Sequence, residues 1–185
     1  MIRLLDFCFS LLGLVCALPF FIILFIIGFF DTGSPVFRQG RVGRNKKPFI
    51  LIKFRTMSVD TASVASHLAS SASITPFGNF LRKTKLDELP QLWNVLKGEM
   101  SLVGPRPGLF NQQELTEARE AKNVYAVRPG ITGEAQVNDI DMSTPELLAK
   151  TDAKMIAELN LSNYFKFILQ TVTGKGRGDR VNHNN

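Results

Sequence analysis

Cysteine and histidine are nearly absent from this chain, and their scarcity removes whole classes of chemistry. The 2 cysteines, Cys8 and Cys16, both lie inside a long apolar run. They read as packed thiols, not a disulfide, and give no metal spacing. Nothing asks for an oxidising compartment. The 2 histidines, His67 and His183, sit in polar surroundings without partner cysteines, which sets aside a zinc centre and a Ser-His-Asp triad. Nucleotide-binding loops are missing too. Gly174-Lys175-Gly176-Arg177-Gly178 lacks the spacing and the final Ser or Thr of a Walker loop, and no dinucleotide fingerprint occurs. Basic residues are not interleaved with aromatics, which argues against a nucleic-acid partner. No internal repeat is evident.

The third absence is charge: none falls between Phe7 and Phe30. As a helix that run measures about 36 Å, enough to cross a hydrocarbon core of about 30 Å. It is too long for a cleaved signal peptide, and no small-x-small site precedes Asp31. Pro19 divides it into halves of about 18 Å, each too short to cross alone. Arg38, Arg41, Arg44, Lys46, Lys47, Lys53 and Arg55 follow it, and Arg3 precedes it, so both flanks prefer the cytoplasm. A segment that enters one leaflet, breaks at Pro19 and returns satisfies both flanks; an ordinary kinked span is the other reading.

What is present is one domain of a 185-residue chain plus this anchor, with net charge +6 and pI near 9.5. Such a balance favours anionic partners, and beside a membrane those are lipid head groups and phosphates. Residues 35–57 read as a β-hairpin, with arms Pro35–Gln39 and Pro48–Met57 around a turn at Gly40–Lys47. Residues 58–75 read as a flexible surface loop holding a helical turn. Leu89, Leu92, Trp93 and Leu96 make one apolar helix face, ended by Gly98. Gln112–Lys122 reads as a polar, exposed helix. The turn-rich 127–133 leads into a short strand, Ala135–Asn138. Further helices begin at Ser143-Thr144-Pro145 and span Asn160–Thr173. The tail from Gly174 is polar.

The chemistry concentrates at residues 82–107. Asp87-Glu88 opens the short helix, with Arg82, Lys83 and Lys85 just before it and Gly104-Pro105-Arg106-Pro107 just after. Carboxylates at a helix start also complement its dipole and cap free N–H groups, which is the plain reading of that pair. Carboxylates among cations suit chemistry on a metal-bound phosphate: the cations bind phosphate, the carboxylates hold Mg²⁺ or attack. Arg106 between two prolines has a well-fixed backbone. Lys53 and Arg55 share one face of their strand, which by itself reads as a charged solvent face.

Taken together, several fragments in order resemble the bacterial sugar transferase family, the monotopic phosphoglycosyl transferases. They are Arg3-Leu-Leu-Asp6, Ser34-Pro-Val-Phe-Arg-Gln39, Lys53-Phe-Arg-Thr-Met57, Leu86-Asp-Glu-Leu-Pro-Gln-Leu92, Asn94-Val-Leu-Lys-Gly98, Ser101-Leu-Val-Gly-Pro-Arg-Pro107, Arg128-Pro-Gly-Ile-Thr-Gly133 and Ala135-Gln-Val-Asn138. The match covers Arg3 to Gly174. The resemblance implies an α+β fold: a re-entrant helix-break-helix membrane segment at 1–31 with its break at Pro19, a small, mostly helical cytoplasmic catalytic domain with a β-hairpin at 32–174, and a basic polar tail at 175–185. It implies transfer of a sugar-1-phosphate from a UDP-sugar to undecaprenyl phosphate at the cytoplasmic face of the bacterial inner membrane, releasing UMP. By analogy Asp87 attacks, Glu88 assists with metal or proton, both meet Mg²⁺, and Lys53, Arg55, Arg82, Arg106 and Arg128 hold phosphate oxygens. Membrane lipids are further partners, and a homodimer is compatible with the pattern. The chain departs from the family at Leu18-Pro19, where Ser-Pro is frequent; at Asp139-Ile140-Asp141, where Gly-Arg is frequent; and at Tyr164, where Asp is frequent. A non-catalytic membrane scaffold, or a module binding anionic lipid, is the rival reading.

Overall fold

The computed structural model describes residues 1–61 and 73–176. The uncharged run lies within α1 (Ile2–Thr32), a 31-residue helix that stays helical through Pro19. The break expected there does not interrupt it. At 1.5 Å per residue it is about 46 Å long. One stripe of α1 is covered by the rest of the chain. Asp6, Ser10, Leu24 and Gly28 are buried, and Gly13, Ala17 and Phe21 between them are half-buried. These steps of three and four residues keep to one helix face. The other faces expose Leu11, Val15, Leu18, Phe20, Ile23 and Phe30.

The expected hairpin forms from β1 (Val36–Val42) and β2 (Pro48–Phe54), antiparallel, with Val36 opposite Phe54 and Val42 opposite Pro48. Its first strand runs through Gly40–Val42, which sequence assigned to the turn. Phe54 packs with Leu24 of α1 and Leu81, while Phe49 and Leu51 pack on Val95 and Met100. The second edge of β2 is satisfied by a side chain: buried Asn94 accepts from Ile52 N at 3.1 Å and donates to Ile50 O at 2.7 Å. That pairing replaces a third strand.

α2 (Pro76–Thr84) and α3 (Gln91–Lys97) follow, joined by a 3-10 turn at Leu86–Glu88. Thr75 caps α2 by accepting from Gly78 N at 2.8 Å, and its hydroxyl donates to Asp31 at the end of α1 at 2.7 Å. Gly98 closes α3 with φ 86°, a left-handed cap that glycine adopts without penalty. β3 (Ser101–Val103) pairs in parallel with β4 (Gly130–Thr132). Three helices complete the domain: α4 (Gln113–Ala121), α6 (Pro145–Glu158) and α7 (Leu161–Val172), with one helical turn, α5 (Glu134–Val137), between β4 and α6.

Two expectations are corrected. The strand expected at Ala135–Asn138 is the helical turn α5; the strand lies earlier, at Gly130–Thr132. Gly130 reads as a turn residue locally, but its missing Cβ is what lets it lie against the Gly104 backbone. The helix expected to be exposed, α4, buries Leu115, Ala118 and Arg119. Its buried face contains an arginine, so the apolar count fell short of the true face. The helical turn expected within 58–75, and the tail beyond Gly176, lie outside the described residues. The ends of that loop are joined by a bond from Ser58 N to Ser73 O at 3.0 Å.

A node ties α1 to the domain. Asp6 is 2 % exposed. Its carboxylate accepts from Ser101 Oγ at 2.9 Å, from Leu102 N at 3.0 Å and from the Tyr164 hydroxyl at 2.9 Å. Burial, followed by the Asp6 charge and the bond to it, raises the Tyr164 pKa, so the phenol stays a donor. Tyr164 is therefore a core residue. Arg3 adds two bonds to carbonyls at the end of α3, Val95 O at 2.6 Å and Leu96 O at 2.9 Å.

Candidate active site

The acidic pair lies in the bend between the two helices that pack on α1. α2 ends at Thr84, and Lys85 takes the left-handed conformation with φ 57° and ψ 17°. This reverses the chain into the 3-10 turn carrying Asp87 and Glu88. Pro90 then forms the N-cap of α3. Asp87 is 5 % exposed. The Glu88 side chain, 13 % exposed, meets Arg106 Nη2 at 3.3 Å. The structure thus brings together the acidic pair and the arginine of the Pro-Arg-Pro turn, which sequence placed side by side only in order.

Two buried arginines hold that turn. Arg41 from β1 donates to Pro107 O at 3.0 Å and to Gln39 Oε1 at 2.6 Å. Arg119 from α4 donates to Arg106 O at 2.8 Å, and its Nε and Nη2 reach Asp152 Oδ2 at 3.0 and 2.7 Å. Val42 N adds a bond to Gly108 O at 3.0 Å. Sequence reading counted Arg41 only as flanking charge and did not single out Arg119. The available signal was an arginine at the apolar spacing of α4, four residues after Leu115. Asp152 lies under both charges: burial raises its pKa, and the Arg119 guanidinium offsets part of that rise.

The other expected cations are placed as follows. Arg82, in the last turn of α2, donates from Nε to Thr56 Oγ1 at 3.0 Å, which ties the end of the hairpin to the acidic turn. Lys53 is 7 % exposed, with its ammonium 5.7 Å from the Phe37 ring centroid. Arg55 lies over the same ring, 5.4 Å from its centroid, and donates to Ser34 O at 2.7 Å. Arg128 reaches the opposite end of α3 from the acidic turn. Its Nε donates to Gly98 O at 2.8 Å. Burial lowers its pKa, and Arg3 and Arg44 lower it further.

Among the described residues no group of three or more His, Cys, Asp or Glu side chains could hold a metal by itself. Asp87 and Glu88 are adjacent carboxylates beside cations. Such a pair fits Mg²⁺, which keeps waters and takes substrate phosphates as its remaining ligands. A buried carboxylate backed by fixed cations can attack phosphorus or share a metal, and the cations can balance phosphate charge.

Comparison with known proteins identifies the family. The family described as "Bacterial sugar transferase" matches residues 1–176. The chain is 42 % identical over 137 residues to "Uncharacterized sugar transferase EpsL" of Bacillus subtilis (strain 168), covering 74 % of this chain and 67 % of that protein. It is 39 % identical over 151 residues to "UDP-glucose:undecaprenyl-phosphate glucose-1-phosphate transferase" of Caulobacter vibrioides, covering 77 % of this chain and 57 % of that one. It is 38 % identical over 163 residues to "Undecaprenyl-phosphate galactose phosphotransferase" of Salmonella typhimurium, covering 77 % and 34 %. Across these three relatives the match spans between a third and two thirds of the relative's length.

Proposed function

The chain belongs to the bacterial sugar transferase family, and from that premise we propose that it transfers a sugar-1-phosphate from a UDP-sugar to undecaprenyl phosphate. The observation that carries the reading is the Asp87-Glu88 turn facing the clamped Arg106. In the first step an Asp87 carboxylate oxygen bonds to the β-phosphorus, the bond from that phosphorus to the bridging oxygen breaks, and UMP leaves. In the second, a phosphate oxygen of the lipid bonds to the same phosphorus and the Asp87 oxygen departs. The product is undecaprenyl-diphosphate-sugar. Dividing the transfer in two is the use of a carboxylate nucleophile. Glu88 and Asp87 would hold Mg²⁺, which when bound neutralises charge on the diphosphate. Arg106, and Arg82 from the end of α2, hold phosphate oxygens, and their fixed positions supply electrostatic stabilisation without reorganisation.

The placement of α1 supports chemistry at one membrane face. The domain covers α1 from Asp6 to Gly28. Arg3 and Asp31 at its two ends both bond to the domain. A helix standing across a bilayer would carry one end about 46 Å away from a domain in water. Both ends of the unbroken α1 instead bond to the domain, which supports a segment lying along one membrane face; on this reading that face is the cytoplasmic side of the inner membrane, and Pro19 is the re-entrant break point. The acidic turn joins the two helices lying on α1, so a lipid phosphate at head-group level reaches it.

The test is UMP release by purified protein in nanodiscs with Mg²⁺, undecaprenyl phosphate and a panel of UDP-sugars offered singly. The reading expects UMP with one sugar, dependent on lipid, and lost in Asp87→Asn at unchanged melting temperature. An Asp87→Asn variant retaining most of its turnover would sink the covalent step. UDP-sugar binding without any UMP release would favour the scaffold.

A further inference from the structure

Lys85 occupies a position that usually belongs to glycine or asparagine. It caps α2 in the left-handed conformation at φ 57°, where any other residue costs on the order of 1 kcal/mol. Its side chain is half-buried, one residue removed from the acidic turn. Burial lowers its pKa, with the Glu88 and Asp139 carboxylates acting against that shift and the Arg106 guanidinium with it. An ammonium has three donors. One goes to the Lys175 carbonyl at 2.6 Å. The other two meet no hydrogen-bond acceptor among the described residues.

The acceptor belongs to a strap. After α7 the chain turns back through Gly174, and Lys175 N bonds to Gln170 O at 2.8 Å. Gly176, at φ 76°, passes so close to the Gln136 carbonyl that no Cβ fits. Gln136 in turn donates to Gly104 O at 3.3 Å, at the start of the Pro-Arg-Pro turn. Strap, α5 and the Arg106 turn thus form one continuous wall, and Lys85 is tied to it. Asp139, three residues beyond Gln136 and itself at φ 58°, stands where the chain departs from its family.

We propose that Lys85 is a further substrate-binding cation of this site, donating its two remaining hydrogens to the diphosphate of the nucleoside diphosphate sugar, with the Lys175–Gly176 strap holding it in register. This rests on the proposed function, since it needs a diphosphate between Glu88 and Arg106. Charge-assisted bonds from an ammonium to phosphate are among the stronger ones. The strap then makes the end of α7 part of substrate recognition.

The experiment measures UDP binding by calorimetry on the whole protein in detergent, independent of turnover. Lys85→Met is expected to weaken UDP binding about tenfold, Lys85→Arg to restore most of it, and both to melt within about 2 °C of the parent. Gly176→Val, which pushes the strap off Gln136, is expected to weaken binding about threefold, and to add nothing in the Lys85→Met background. Equal UDP affinity in Lys85→Met, or no UDP binding by the parent, overturns the proposal. Losses from Lys85→Met and Gly176→Val that multiply independently overturn the role of the strap. If UDP binds through Lys85 but no UDP-sugar yields UMP, the reaction fails and the cation site stands.

Discussion

Replacing Arg119 with methionine tests the support beneath the candidate site. Arg119 is 1 % exposed and Asp152 0 %. Arg119→Met removes two bonds to Asp152, of 3.0 and 2.7 Å, and one of 2.8 Å to Arg106 O. It leaves a buried carboxylate without its counter-charge, which costs about 3–5 kcal/mol. At about 2–4 °C per kcal/mol for a chain of this size, the melting temperature falls by about 6–20 °C. The double variant Arg119→Met with Asp152→Leu removes both charges and recovers at least half of that loss. The pH dependence follows from the raised pKa of Asp152. A carboxyl group that binds its proton more tightly when folded favours the native state below its unfolded pKa. That contribution is lost as pH rises through the folded value. Without Arg119 the folded value moves higher still, so Arg119→Met gains more stability than the parent when pH drops from 7 to 5. Differential scanning fluorimetry in detergent reads all of this. A loss below about 1 kcal/mol, or a double variant no more stable than the single, would refute the reasoning.

Two further outcomes follow from the same contacts. Tyr164→Phe removes one donor from the buried Asp6 carboxylate and should cost about 1.5–3 kcal/mol, read as a fall in melting temperature, with the apparent affinity for UDP-sugar unchanged. Arg128→Ala, which uncaps Gly98 O at the far end of α3, should lower the melting temperature while KM for UDP-sugar stays within about twofold; a tenfold rise in KM would return Arg128 to the substrate.

Sequence carried the elements whose signals are local. The hairpin arms, Gly98 as a helix end, Pro145 at a helix start and the 160–173 helix depend on near neighbours, and all four formed. What escaped depends on partners far along the chain. Gly130 lies in a strand because Gly104 approaches it, not because of its neighbours. Arg119 is buried because Asp152, 33 residues on, waits for it. Glu88 and Arg106 were legible as chemistry, since their types and order suit phosphate. Their meeting at 3.3 Å, and the two buried guanidinium groups behind Arg106, required the fold. Arg128 was legible as a phosphate-type cation, but its bond to Gly98 O at the far end of α3 required the fold. Lys85 looked like one more charge in a basic run, because the carbonyl that fixes it lies 90 residues away.

The Asp6 node also sets an order of events during synthesis. Tyr164 follows Asp6 by 158 positions, so the carboxylate is made long before its phenol donor. Until β3 and α7 arrive, α1 carries an unmatched carboxylate on an otherwise greasy helix. Contacts of such sequence separation are slow to form. The carboxylate therefore waits for β3 to supply Ser101 and Leu102, and for α7 to supply Tyr164.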